Sequence, residues 1–336
     1  MKWLALDIGG ANLKAADGQG LAIIQPFALW QSPRQLPDVL RALLATMAGV
    51  DHVAVTMTGE LCDCFVTKAE GVDFILKALD IAADKRHTRV YLTNGTLVAP
   101  QVALRQPLLA AASNWHALGR FAGSYVQKGA GLLIDIGSTT CDIIPLVDGQ
   151  PVTLGRTDPT RLVNGELMYT GVQRSPVCAV SRSIVWRGKK CPLAHEVFAT
   201  MWDVYLLLAD LPEEPESLHT ADGRPATKEF ARDRLARMIC ADRELFTQAD
   251  ALSAAQSIAR AQLNRVSTVA HYVMSRLQTP PVKVVISGRG EFLARRVLEK
   301  LQVEAPIVSL QAELGSELSQ CAAAHALAWL AQEGSR

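Results

Sequence analysis

A chain of 336 residues is long enough for two domains of about 150 residues each. Hydrophobic residues make up 49% of the chain and charged residues 20%, which is typical of a globular protein and excludes a disordered one. The 34 Lys and Arg residues balance 33 Asp and Glu residues, so no net charge attracts nucleic acid or an anionic membrane, and we expect small molecules as partners.

The sequence gives no indication of secretion or of a membrane segment. The first apolar run, from Trp3 to Leu6, ends at Asp7 and is too short for the core of a signal peptide. Apolar runs elsewhere are shorter than the roughly 20 residues that cross a bilayer. The seven cysteines form no CxxC pair, as expected where thiols stay reduced. We therefore expect a cytoplasmic protein with no membrane partner.

The predicted elements of the first half alternate between strand and helix. A strand that begins at Trp3 leads through a tight turn into a second strand at 13–16. The elements predicted after it are strands at 21–26, 52–57 and 89–93, and helices at 36–47, at 68–83 and twice within 100–125. This alternation is typical of an α/β lobe, which we assign to residues 1–127.

The second half repeats this beginning and then becomes mainly helical. A second pair of apolar stretches lies within 132–147. The elements predicted after it are a helix at 161–169, paired strands within 177–186, helices across 194–278, a strand at 283–287, and helices at 292–301 and 316–331. We assign residues 128–336 to a second lobe with a mainly helical insertion around 194–250.

One motif occurs in both halves of the chain. Asp7-Ile-Gly9 and Asp135-Ile-Gly137 each follow an apolar strand, and each is followed by small or hydroxyl residues and a second apolar stretch. This pattern predicts strand, turn and strand. Rossmann and P-loop motifs run from a strand into a helix, and the sequence contains neither GxGxxG nor GxxxxGK(S/T). The repetition indicates two related halves.

Paired turns of this kind suit a phosphate chain that is held from two sides. Backbone N–H groups in such turns bind anions, and carboxylates hold Mg²⁺ through water. Asp7 and Asp135 are the predicted metal-side residues. The residues predicted to contact phosphate are Gly9, Gly10, Asn12, Lys14, Gly137, Ser138, Thr139 and Thr140. A single turn of this type would be equally compatible with a purely structural role.

A third motif follows the predicted strand at 283–287. Gly288 and Gly290 form a turn that would admit a phosphate or a flat base close to the backbone, or else an ordinary turn from strand to helix. In this order, the three motifs resemble the phosphate-one, phosphate-two and adenosine motifs of sugar kinases, Hsp70 and actin. The resemblance predicts an α/β protein with a two-lobed, actin-like fold, which is a duplicated ribonuclease H-like fold.

A narrower resemblance extends along the whole chain. Its motifs, in order, are LDIGGANLK at 6–14, VTMTGEL at 55–61, TNG at 93–95, ASNW at 112–115, NGE at 164–166, TGVQRSPVC at 170–178, FATMWDVY at 198–205 and TADGR at 220–224. These motifs resemble hydantoinase/oxoprolinase-like proteins linked to tetrahydromethanopterin-dependent one-carbon transfer. That family is similar to a methanofuran-pathway transferase that joins a tyramine-derived phenol to an aminomethylfuran-methyl diphosphate and releases pyrophosphate.

The resemblance implies a diphosphate-bearing substrate, a phenolic acceptor and Mg²⁺. Such a displacement needs a stabilised leaving group and a base for the phenol. The candidate bases are Glu60, His116, Asp142 and Glu166. The candidate substrate-binding residues are Thr58, Asn94, Asn114, Trp115 and Arg174. Structural roles are open for several of them, since Glu60 could orient a loop, His116 could lie on a helix surface and Trp115 could belong to the core.

Two other functions remain compatible with the same motifs. A small-molecule kinase or ATPase would use ATP and form ADP in the same cleft. A nucleotide-switched module that binds proteins is the second alternative, although the chain has no β-rich peptide-binding domain of the Hsp70 kind after its last helix. A homo-oligomer is compatible with each of these functions.

Overall fold

The structure is a computed structural model and describes residues 2–47 and 49–334. Its strands are β1 (Trp3–Ile8), β2 (Asn12–Ala16), β3 (Ala22–Pro26), β4 (His52–Met57), β5 (His87–Tyr91), β6 (Leu97–Val98), β7 (Ala130–Ile136), β8 (Cys141–Val147), β9 (Gln150–Pro151), β10 (Leu167–Met168), β11 (Ser183–Trp186), β12 (Lys189–Pro192), β13 (Lys283–Ser287) and β14 (Ile307–Ser309).

Its helices, besides a 3₁₀ turn at Pro33–Gln35, are α1 (Leu36–Ala45), α2 (Lys68–Ala83), α3 (Pro100–Ala103), α4 (Pro107–Ala110), α5 (Asn114–Gly123), α6 (Asp158–Val163), α7 (Val177–Val180), α8 (Met201–Leu207), α9 (Lys228–Arg237), α10 (Gln248–Met274), α11 (Glu291–Lys300), α12 (Leu310–Leu314), α13 (Ser316–Gln320) and α14 (Ala322–Glu333). No helix in the described part of the chain combines the length and the apolarity that crossing a membrane requires.

The main strands form two sheets with the same topology. The first sheet has the order β3-β2-β1-β4-β5-β6, and the second has the order β10-β8-β7-β13-β14. In both, the first three strands along the chain run antiparallel, and the next two are parallel to the first. This repeated order is that of a duplicated ribonuclease H-like fold. The predicted two-lobed, actin-like fold class is confirmed.

Burial explains why the central strands are apolar throughout. All residues of β1 are buried, because helices cover both faces of the first sheet. Leu4 and Leu6 face a core shared with helices α1 and α2, whereas Trp3 and Ala5 face a core shared with α14. Strand β7 is buried in the same way except at Asp135, which is partly exposed near the end of the strand.

The two repeated turns share one backbone hydrogen bond. Gly9 N donates to Asn12 O at 3.0 Å, and Gly137 N donates to Thr140 O at 2.9 Å. A Cβ on Gly9 would lie 2.7 Å from Asn12 O, which is too close for any side chain there, whereas a Cβ on Gly137 would lie 3.8 Å from Thr140 O. The hairpins predicted from the repeated motif are therefore present.

Several predicted boundaries were wrong. The helix predicted at 161–169 is α6, which ends before Gly165, a residue with a φ of +69° that terminates helices, and the chain then extends into β10. The paired strands predicted within 177–186 are α7 followed by β11, whose partner is β12. The final helix is divided at Cys321 into α13 and α14, and 100–125 contains α3, α4 and α5.

Helix α14 lies in the second half of the sequence but packs against the first sheet. Its residues Leu327 and Ala328 share a core with Trp3 and Tyr91. Residues 194–278 contain α8, α9 and α10, which pack on the second sheet through one continuous core. Division of the chain at residues 127 and 128, and the description of 194–250 as an insertion, remain proposals.

Candidate active site between the two sheets

Lys14 carries a charge that acts on a carboxyl in each Asp-Ile-Gly turn. Asp7 lies opposite Lys14 in the first hairpin, and Asp135 lies opposite Asp142 in the second. Burial raises the pKa of Asp7 and raises that of Asp135 to about 6, while the Lys14 charge acts in the opposite direction on both. Both carboxyl groups are therefore costly to ionise without a cation beside them.

The carboxylates at this point fit a bound cation. Asp7 is 7% exposed, and its Oδ1 has no hydrogen-bond partner among the described residues. No group of three or more His, Cys, Asp and Glu with metal-binding geometry occurs in residues 2–47 and 49–334. Mg²⁺ needs no such group, since it keeps several waters and is usually bound through one or two carboxylates and the phosphates of a substrate.

Backbone amides of both turns are free to bind an anion. The N–H groups of Gly10, Ala11, Ser138 and Thr139 donate to no acceptor in the described part of the chain. Their neighbouring carbonyls are fixed, since Gly10 O accepts from Leu29 N at 2.9 Å, and Ser138 O accepts from a backbone N–H at 2.8 Å. Successive unpaired amides of this kind form concave anion sites. Each turn can therefore bind an anion.

The third motif packs directly against the second turn. Gly288 has a φ of +86°, and a Cβ there would lie 2.3 Å from Ile136 O and 2.8 Å from Asp135 Oδ1. Only glycine allows this approach. Gly290 N donates to Ile136 O at 2.9 Å, and at the equivalent point of the first sheet Thr58 N donates to Ile8 O at the same distance. Thr58 and Gly290 thus each donate to the carbonyl that precedes the first glycine of a turn.

Glu60 is the candidate base with a free carboxylate oxygen. It is 1% exposed, its Oε1 lies 3.7 Å from Lys68 Nζ, and its Oε2 has no partner among the described residues. Burial raises the pKa of Glu60 to about 7, and the charges of Asp158 and Asp7 act in the same direction. A carboxylate with such a pKa can accept a proton at neutral pH.

Helix α6 connects the two lobes at the site. Asp158 at its start lies 2.5 Å from Lys68 Nζ of the first lobe. One turn later, Arg161 Nη2 donates to Asp142 Oδ1 at 2.7 Å, and the guanidinium lies 4.0 Å from the ring centroid of Trp115. Asp142 is therefore engaged in an ion pair, which leaves it poorly suited to act as a base.

Trp115 and His116 occupy the first turn of α5. The indole of Trp115 is 4% exposed and covered by Arg161, so it offers no open face to stack on a substrate ring. His116 Nδ1 lies 2.9 Å from the hydroxyl of Tyr91. Burial lowers the pKa of His116 to about 4, and three nearby arginines contribute. His116 is thus a half-buried neutral imidazole at pH 7.

Glu166 has a structural role. Its carboxylate accepts from Leu154 N at 2.7 Å and from Gly155 N at 2.9 Å, and it pairs with Arg276 at 2.8 Å. The guanidinium of Arg161 reaches the backbone carbonyl of Glu166 instead of its carboxylate. With both oxygens occupied, Glu166 is not a suitable base.

The other predicted substrate residues lie at the edges of the site. Asn94 Oδ1 accepts from the backbone and hydroxyl of Thr96 within a turn, and Asn114 begins α5. The charge of Arg174 acts on Cys62, whose thiol pKa burial raises to about 11. Arg174 itself is exposed, between β10 and α7.

Sequence reasoning missed the residues that join the lobes. Lys68, Asp158 and Arg161 were not predicted as site residues, nor were Arg120 and Arg156. The one available signal was the spacing of Asp158 and Arg161, which places both on one face of a short helix.

A surface cavity of about 440 Å³ lies elsewhere in the second lobe. It is lined by residues from the start of β7, from β8 and from the segment after α10, including Ala130, Pro145 and Arg276. None of the predicted site residues lines this cavity.

Comparisons with known proteins identify the family. The hydantoinase/oxoprolinase family model matches residues 51–331. The chain belongs to the hydantoinase/oxoprolinase family. This family member is similar to the (4-{4-[2-(gamma-L-glutamylamino)ethyl]phenoxymethyl}furan-2-yl)methanamine synthase of Methanocaldococcus jannaschii. The two sequences are 33% identical over 334 residues, and the alignment covers 98% of this chain and 97% of that protein. The synthase of the same name from Methanococcus vannielii is 29% identical over 201 residues, covering 59% of this chain and 89% of that protein.

Among solved structures, an archaeal actin homologue in complex with ADP aligns over 99% of this chain and 100% of that chain, with 15% identity and a TM-score of 0.47. The two synthases are named as biosynthetic enzymes. The family resemblance seen in the sequence is confirmed, and so is the expectation that this member of the hydantoinase/oxoprolinase family is an enzyme.

Proposed function

We propose that this family member joins a phenol to a furan-methyl carbon and releases diphosphate, as a transferase in the synthesis of a methanofuran- or methylofuran-type cofactor. The name of its M. jannaschii relative describes a phenoxymethyl furan, in which an ether oxygen joins a phenol ring to a furan-methyl carbon. Similarity along almost the whole length of both chains supports the same type of reaction here.

The observation that supports the proposal is that corresponding turns of the two sheets both carry free backbone amides, and that Glu60 is a buried carboxylate with a free oxygen. Amides of Gly10, Ala11, Ser138 and Thr139 would hold the diphosphate from both sides. Lys14, whose side chain has no ion-pair partner among the described residues, would add a positive charge. Stabilisation of the leaving diphosphate is the largest requirement of this displacement.

A divalent cation fits the same point. Asp7 and Asp135 would hold Mg²⁺ through water, as the unpartnered Oδ1 of Asp7 and the raised pKa of both groups favour. The bound cation would neutralise the charge that develops on the diphosphate.

Glu60 is the base that we assign to the phenol. Of the four carboxylate and imidazole candidates, Asp142 is paired with Arg161 and Glu166 is fully hydrogen bonded, whereas Glu60 retains a free Oε2. Glu60 would accept the phenolic proton as the phenol oxygen forms its bond to the furan-methyl carbon. The bond between that carbon and the diphosphate oxygen breaks, and its electron pair leaves with the diphosphate.

Mass spectrometry of the purified protein with an aminomethylfuran-methyl diphosphate, a phenol and Mg²⁺ tests the proposal. We expect an ether product and one pyrophosphate per ether, with no requirement for ATP. Formation of ADP in equal amounts with a phosphorylated product would instead establish a kinase of the same fold. Absence of ether with every phenolic amine and amino acid tried would reject the transferase.

A further inference from the structure

Arginine side chains lie around the half-buried His116. A Cβ on Gly95 would lie 3.2 Å from Arg120 Nη1 and 3.4 Å from His116 Cε1, so both side chains pack on the same glycine turn. Arg161 of α6 covers Trp115, the neighbour of His116 in α5. The exposed Arg156, just before α6, carries a charge that helps to keep His116 neutral. Guanidinium groups of α5 and α6 therefore lie next to His116 and Trp115.

The charge of this group is only partly compensated. Arg161 pairs with Asp142, but the side chains of Arg120 and Arg156 form no hydrogen bond or ion pair with any residue that the structure describes. The adjacent imidazole contributes no negative charge. The uncompensated positive charge beside His116 would be stabilised by a bound anion.

Buried donors without acceptors point to the same location. Thr93 Oγ1, Trp115 Nε1 and Arg161 Nε have no partner among the described residues, although the three residues are at most 4% exposed. Thr93 directly precedes the turn that contains Gly95, and Arg161 lies on the ring of Trp115. Buried polar groups are nearly always hydrogen bonded in folded proteins, so unmet donors beside unpaired cations indicate a ligand that supplies acceptors.

We propose that Arg120, with the donors of Thr93, Trp115 and Arg161 and with the exposed Arg156 just before α6, forms a binding site for a carboxylate of the phenolic acceptor. The proposal rests on the proposed function, since it names what anchors the acceptor in the same cleft. Guanidinium groups match a carboxylate in geometry and bind it through paired hydrogen bonds.

The location favours the acceptor over the diphosphate. The diphosphate has its own amides and cation-binding carboxylates at the two turns, whereas the arginine group offers donors with no free carboxylate to hold a divalent cation. A carboxylate could come from a glutamyl group attached to tyramine, as in the name of the M. jannaschii relative, or from tyrosine itself. Both sources present the same chemistry to the arginines.

Calorimetric binding to the full chain, with magnesium pyrophosphate present to occupy the turns, tests the site. The ligands are γ-glutamyltyramine, tyrosine and tyramine, of which tyramine alone lacks a carboxylate. We expect the protein to bind at least one carboxylate-bearing phenol roughly 10- to 100-fold more tightly than tyramine, the effect of a charged hydrogen bond. Whichever of the two binds more tightly identifies the source of the carboxylate.

The variants are Arg120→Ala and Arg156→Ala, with the exposed Arg260→Ala on α10 as the matched control. We expect the first two to abolish the preference over tyramine and to leave pyrophosphate affinity unchanged, and the control to retain both. The site is rejected if the wild type shows no preference, if the preference survives both substitutions, or if pyrophosphate binding weakens instead.

The ether assay separates this proposal from the proposed function. If the protein forms the ether but its preference for a carboxylate-bearing phenol over tyramine does not depend on Arg120 and Arg156, the carboxylate site is rejected and the transferase is retained. A preference that depends on both arginines in a protein that forms no ether would retain the site and reject the transferase.

Discussion

Lys68 Nζ lies 2.5 Å from Asp158 Oδ2, an ion pair that joins α2 of the first lobe to α6 of the second. The same ammonium lies 3.7 Å from Glu60 Oε1. Because the pair is mostly buried, its two charges act on the protonation of Glu60 with little screening by solvent. Lys68 therefore contributes both to the contact between the lobes and to the pKa of Glu60.

Substitutions of the two partners are expected to shift the pH profile in opposite directions. Lys68→Met removes the charge that lowers the pKa of Glu60, so the acid limb of kcat/KM moves to higher pH. Asp158→Asn removes a charge that raises this pKa, so the limb moves to lower pH. Kinetics across neutral pH measure both. If the acid limb moved in the same direction in both variants, the ion pair would affect only the contact between the lobes and not the pKa of Glu60.

Glu60→Gln is expected to reduce kcat by roughly 10²- to 10⁴-fold, the usual contribution of a positioned base. In the wild type, activity should rise with pH and level off above the pKa of Glu60, about 7, because only the deprotonated carboxylate accepts a proton. Glu166→Gln is the control. This change disturbs a structural carboxylate, so it should lower the melting temperature and leave the acid limb in place. A Glu60→Gln enzyme with normal kcat would remove Glu60 from the mechanism.

Asp7→Asn and Asp135→Asn are each expected to abolish turnover without unfolding the protein. In the fold, the pKa of Asp135, about 6, lies above its ordinary value of 3.8, so its ionisation destabilises the protein at pH 7 when no cation is bound. The neutral amide should therefore keep or raise the melting temperature. The stabilisation that magnesium pyrophosphate gives the wild type should disappear in both variants, as thermal melting with and without the ligand can measure. Near-normal activity in either variant would exclude that carboxylate from the cation site.

Gly71→Ala tests how closely α2 is packed against Glu60. In an open helix this change stabilises by up to about 1 kcal/mol, because alanine is the better helix former. Here a Cβ would lie 2.2 Å from Glu60 O, so we expect a lower melting temperature and a loss of activity. Gly20→Ala is the control, since nothing lies within 4 Å of the added carbon. A Gly71→Ala protein that is as stable and active as the wild type would show that the loop of Glu60 can move without effect.

His116 is expected to weaken the fold at acidic pH. Its pKa of about 4 in the fold lies below the ordinary value of 6.5, so the unfolded chain takes up the proton first. The free energy of unfolding is therefore unaffected by protonation of His116 above pH 6.5. As the pH falls from 6.5 towards 4, it decreases by at most about 3 kcal/mol. Urea unfolding of His116→Gln should show a smaller loss of stability over this range, whereas the exposed His219→Gln should match the wild type. Equal slopes for all three proteins would contradict a half-buried neutral imidazole.

Contiguous motifs made part of the site predictable. Asp7 and Asp135 are each followed by a glycine turn within a few residues, so the local pattern was enough to predict both hairpins and the fold class. The pairing of Lys68 with Asp158 joins residues 90 positions apart and depends on how α6 packs between the lobes. The covering of Trp115 by Arg161 is likewise a tertiary contact, which explains why an aromatic ring that the sequence suggested for stacking is already occupied.

The packing of α14 on the first sheet has a consequence for the order of folding during synthesis. Trp3 and Tyr91 leave the ribosome early, but Leu327 and Ala328, which cover the same face of their sheet, are made more than two hundred residues later. One apolar face of the nascent first lobe therefore stays open while the second lobe is translated. The core on this face of the first sheet is complete only when residues 322–333 have been made, and until then its apolar side chains are open to non-native contacts.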